Sequence, residues 1–63
     1  MNIVKLAGKQ YERADSLRSR LGIGEMSLWR LVNEGMPKPV KIGRWRYFPL
    51  AAIDAWLLQR TTE

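Results

Sequence analysis

Neither cysteine nor histidine occurs in the 63 residues. Without cysteine there is no disulfide framework and no thiolate metal site. Without histidine the usual general base, the usual pH switch and the commonest zinc ligand are missing together. Serine–lysine or paired-carboxylate chemistry remains formally open, but no carboxylates pair at a useful spacing and so short a chain offers little room for a substrate pocket. The expectation is a protein without catalytic activity, metal, cofactor or small-molecule substrate. Long apolar runs are also absent: nothing approaches the ~20 residues of a membrane span, and "MNIVKLAGKQ" lacks the apolar segment of a signal peptide. Together with the lack of cysteine this predicts a cytoplasmic protein. Acids are scarce, 6 Asp and Glu against 11 Lys and Arg, for a net charge of +5. Charge of that density favours polyanionic partners, nucleic acid ahead of an anionic membrane.

What is present is a set of short periodic segments. Residues 1–10 have no clear period and read as a flexible N-terminal arm, with residues 11–60 as one domain and 61–63 as a tail. In "RADSLRSRLG", Ala14, Leu17 and Leu21 share one helical face, and Gly22 is a natural stop. In "GEMSLWRLVNEG", Leu28, Leu31 and Val32 form an apolar stripe, Met26, Arg30 and Asn33 lie opposite it, and Trp29 sits on the flank. Gly24 is a weak N-cap and Gly35 suits the position after the helix. Only "GIG" separates the two helices, the spacing of a helix-turn-helix. "MPKP" enforces an extended path. "VKI" and "WRYF" then read as two strands joined by a Gly43–Arg44 turn. After Pro49, Ile53, Trp56 and Leu57 mark the inner face of a last helix over residues 50–59. The expected fold is α+β but mostly helical: a winged helix-turn-helix, with a two-stranded β-hairpin wing and a C-terminal helix. Its core is expected to hold Leu17, Leu21, Leu28, Leu31, Val32, Ile53, Trp56 and Leu57, with Trp45 and either Tyr47 or Phe48.

The second helix has the two faces that a major-groove reader needs, one buried and one free. Arg30 suits guanine or a phosphate, Asn33 adenine, and Met26 a thymine methyl. Ser27 suits a phosphate near the positive helix end. Glu25 has the wrong sign for the backbone but can accept a hydrogen bond from cytosine. Trp29 either packs on the hairpin or reaches a phosphate with its indole N–H. On the hairpin, Lys38, Lys41, Arg44 and Arg46 form a positive stripe without a counter-acid, placed to enter an adjacent minor groove. A solvated hairpin protected from edge aggregation would need fewer cations. Arg18 and Arg20 are candidate phosphate contacts, and Lys5 and Lys9 could add others.

The run "LGIGEMSLWRLVNEGMPKPVKIGRWRYFPLAAIDAWL" resembles the AlpA-like prophage regulators and small phage excisionases, whose helix-turn-helix is similar to that of MerR-type regulators. "RLVNEG", "PKPVKIG" and "IDAWL" carry the likeness, which extends over residues 11 to 58. Gly24 stands where Ser or Thr is usual, Trp29 where Tyr is usual, and Glu25 where a basic or small polar residue is common. "EGMPKP" is one residue shorter than the commoner form. The resemblance implies a DNA-bending factor that binds attachment-site DNA and directs an integrase toward excision, often as copies side by side. It equally implies an AlpA-type transcriptional regulator acting at promoters. The expected partner is therefore double-stranded DNA, joined by a phage integrase and by further copies of the chain, with a nucleoid location when bound. A protein-interaction module docked on an acidic partner is the alternative of another class. RNA binding is disfavoured, because the aromatics look committed to the core rather than to stacking.

Overall fold

The computed structural model describes residues 3–61, with the side chain of Thr61 outside the description. Two short hairpins and three helices follow one another along the chain. They are β1 (Ile3–Leu6), β2 (Lys9–Arg13), α1 (Ala14–Leu21), α2 (Glu25–Asn33), β3 (Val40–Ile42), β4 (Trp45–Pro49) and α3 (Leu50–Thr61). The four strands form one antiparallel sheet in the order β1-β2-β4-β3.

This architecture corrects the mostly helical winged helix-turn-helix expected from the sequence. The fold is a small α+β unit whose chain opens on strands and which carries a four-stranded antiparallel sheet beside its three helices. The difference arises at residues 3–13, expected to be an arm as far as residue 10. They instead form a hairpin with Val4 opposite Tyr11 and Leu6 opposite Lys9. Its two-residue turn, Ala7–Gly8, has both residues at positive φ, 50° and 79°, the backbone that matches the twist of paired strands. The hairpin then joins the sheet through β2, with Glu12 opposite Phe48 and Arg13 opposite Tyr47. A strand that donates its hydrogen bonds to a neighbour on either side is no arm. The β3–β4 hairpin turns on Gly43–Arg44, with Ile42 opposite Trp45 and Gly43 at φ 63°. Residues 1–2 of the expected arm and 62–63 of the expected tail lie outside the described residues.

Both α1 and α2 end in the same way. Gly22 takes a left-handed conformation, φ 69° and ψ 33°. Its N–H bonds the Ser19 carbonyl, while the N–H of Ile23 bonds that of Arg18. Gly35 and Met36 repeat the pattern onto Val32 and Leu31. In this Schellman ending the residue after the glycine turns back onto the helix it has just left. Ile23 accordingly packs on the core and Met36 is buried in it.

The buried apolar residues are Leu17, Leu28, Met36, Phe48 and Ile53, one from each helix, one from β4 and Met36 from the segment after α2. Leu21, Leu31, Val32, Trp56 and Leu57 pack around them, partly buried, with Ala14, Ile23 and Trp29. Of the two hairpin aromatics offered for the core, Phe48 fills it and Tyr47, one residue out of phase, does not. Trp45 is a second correction: it remains 39% exposed. Strand alternation explains both, since Trp45 and Tyr47 share the face opposite to that of Phe48.

Candidate nucleic-acid interface

Every described carboxylate faces an arginine. Arg13 holds Asp15 at 2.6 Å, Arg18 lies 3.6 Å from Glu25, and Arg60 is 3.2 Å from Glu34. Arg20 takes two acids at once, Glu12 at 2.9 Å and Asp54 at 3.2 Å. Glu12 is 1% exposed, and its second oxygen also accepts from the Ser16 hydroxyl at 2.9 Å. The Arg20 guanidinium is pushed further toward its charged form, chiefly by its hydrogen bonds to Glu12. Asp15 is held below the usual carboxylate range, first by the hydrogen bonds from Arg13, with partial desolvation acting against them.

These pairs divide the cations into two groups. Arg13, Arg18, Arg20 and Arg60 are engaged, whereas Lys5, Lys9, Arg30, Lys38, Lys41, Arg44 and Arg46 have no ion pair among the described residues. The division alters the candidate set. Arg20 is committed to a buried acid and to α3, which leaves its guanidinium less free to meet a phosphate than the cations without an ion pair. Arg18 is tied less closely, to the mostly exposed Glu25.

The unpaired cations of α2 and the β3–β4 hairpin are all exposed. On α2 the exposed residues are Glu25, Met26, Ser27, Arg30 and Asn33, and Met26 is 81% exposed. At 100° per residue Met26, Arg30 and Asn33 project within one narrow sector. Trp29 leaves that face and tilts against Phe48 of β4, the ring centres 6.1 Å apart. The Arg46 guanidinium lies over the same Trp29 ring, 5.3 Å from its centroid. A tryptophan and a stacked arginine thus fix the hairpin beside α2.

Between them runs a cleft of about 190 Å³, lined by Ala14, Asp15, Arg18, Glu25, Leu28, Trp29, Arg44, Trp45 and Arg46. Arg13 covers Trp45 from 3.9 Å, so neither tryptophan offers a bare ring for a base to stack on. Lys5 and Lys9 line a separate depression with Gln10 and the start of α3. Among the described residues there is no acidic cluster able to hold a metal ion and no helix long and apolar enough to cross a membrane.

Sequence reasoning missed Glu12, Arg13, Asp15 and the outward position of Trp45. Glu12, Ser16 and Arg20 follow one another at intervals of four, a polar stripe that could have marked the buried network. The match of Arg13 to Trp45 had no such mark, because it crosses from β2 to β4. Comparison with protein-family models, curated proteins and solved structures finds no match to this chain.

Proposed function

We propose that the chain binds duplex DNA, with the outer face of α2 in the major groove and the β3–β4 hairpin along the adjacent backbone and minor groove. One observation carries this reading: Arg30, Lys38, Lys41, Arg44 and Arg46 are exposed and have no ion pair among the described residues, while every described acid is paired with an arginine. Unpaired cations concentrated on two adjoining elements repel one another, and a phosphate backbone relieves that repulsion by releasing counterions. α2 is nine residues long, and an α-helix with its side chains is about 10–12 Å across, a fit for a major groove about 12 Å wide. Arg30 supplies a guanine or phosphate contact, Asn33 an adenine contact and Met26 a thymine-methyl contact.

The likeness of residues 11–58 to AlpA-like regulators and small excisionases gives this surface a job. The protein occupies phage attachment-site DNA, in several adjacent copies, and turns an integrase toward excision. Control of a prophage promoter uses the same surface. Gel shifts with attachment-site DNA, the protein's own upstream region and a scrambled duplex separate these roles. A salt-sensitive ladder on the attachment site is the expected result; one shift confined to the promoter points to transcriptional control. Equal, weak binding to all three duplexes would remove the DNA reading. The exposed Lys38, Lys41, Arg44 and Arg46 would then favour docking on an acidic protein partner, with the exposed Val40, Ile42 and Trp45 adding apolar contact.

A further inference from the structure

Glu25 is the one acid of α2 and opens the helix. It lies about 100° round from Met26, on the flank that borders the cleft to the hairpin, at the end of the helix whose residues reach base edges in a major-groove reader. It is 72% exposed on its side chain. Its ion pair with Arg18, 3.6 Å, is longer than a hydrogen bond, and no hydrogen bond reaches its carboxylate among the described residues. Arg44 and Arg46 line the same cleft. A carboxylate so placed weakens every phosphate contact around it, a cost that a hydrogen-bond donor in the groove offsets in part.

An ionised carboxylate only accepts hydrogen bonds. In the major groove the donors are the N4 amino group of cytosine and the N6 amino group of adenine. Adenine carries the N7 acceptor beside its donor, which repels a second carboxylate oxygen, so cytosine is the better partner. Glutamine has the opposite preference, because its amide can donate to N7 and accept from N6 at once.

We propose that Glu25 is a specificity-determining residue that selects cytosine at the base pair facing the start of α2. This rests on the DNA-binding reading and adds to it the identity of one base. The bland alternative is a first-turn acid that merely favours the positive end of the helix; it would affect stability and leave base choice untouched.

Selection from randomised duplexes, run in parallel on the wild-type chain, Glu25→Gln and Glu25→Ala, decides between them. The expected wild-type motif contains a position dominated by cytosine. Glu25→Gln should move that position to adenine. Glu25→Ala should accept all four bases there, losing roughly fivefold to tenfold discrimination, and should bind unrelated duplexes several times more tightly. Circular dichroism confirms that each variant is folded. The same motif from all three proteins would overturn the role of Glu25 and leave DNA binding standing. A wild-type protein that binds DNA without selecting any motif would overturn it too. Failure of the wild type to bind any duplex would overturn the DNA reading itself.

Discussion

Glu12 is buried on the core side of the sheet, in register with Phe48. A buried carboxylate is tolerated when its lone pairs are all engaged. Ser16 and Arg20 engage these, and no described buried side-chain polar atom lacks a partner. Since Arg20 also reaches Asp54, one guanidinium joins β2, α1 and α3. Glu12→Ala should therefore destabilise the domain by about 2–3 kcal/mol, somewhat less than a fully buried pair because Arg20 can turn to solvent; thermal or urea unfolding measures it. Asp15 predicts a pH dependence. Its folded pKa lies below the ordinary value, so its contribution is present above about pH 3.9 and is lost as pH falls through the lowered folded value. Melts between pH 2 and 6 should show a shallower acid limb for Asp15→Asn than for the wild type. Arg30, by contrast, carries no internal contact that its loss would break. Arg30→Ala should leave the melting temperature within a degree or two while weakening DNA binding by about 1–3 kcal/mol and relaxing its sequence preference.

At the level of elements, the glycines that end α1 and α2 do different work from the one that starts α2. Gly22 sits in the left-handed region, where a side chain adds about 1–2 kcal/mol of strain. Its Cβ would meet nothing within 4 Å, so Gly22→Ala tests backbone strain alone and should lower stability by about 1 kcal/mol in a denaturant titration. The same motif explains what was legible. Helices α1, α2 and α3 were readable because Leu17, Leu28 and Ile53 stand in helical periods bounded by glycine or proline. The β3–β4 hairpin was readable because Gly43 stands at the turn. Met36 was not, since its burial follows from the bond it makes after Gly35 rather than from any period. The β1–β2 hairpin was hidden by its turn: Ala7 occupies a positive φ where Asn, Asp or Gly would have announced a hairpin. On the candidate surface, the exposed cations were legible from charge alone. Which arginines were spent internally was not, because Arg20 finds Asp54 across 34 positions of chain.

The molecule as a whole separates two electrostatic tasks. Arginine–carboxylate pairs tie the helices and strands together, and the remaining cations gather on α2, the β3–β4 hairpin and the far β1–β2 turn. If DNA occupies the first two of these, the salt dependence of binding is fixed by the unpaired set rather than by net charge. Neutralising phosphates with Arg30, Lys38, Lys41, Arg44 and Arg46 gives a slope of log affinity against log salt of about −4 to −5. Arg44→Ala should reduce the steepness by about 1 and weaken binding to most sequences alike, since the turn tip meets backbone rather than a chosen base. Arg20→Ala removes the same formal charge and should leave the slope unchanged while lowering the melting temperature, because its guanidinium is held by Glu12 and Asp54. A salt titration of the wild type and both variants on one duplex makes the comparison. Equal loss of slope in the two variants would mean that net charge, not the hairpin, drives binding.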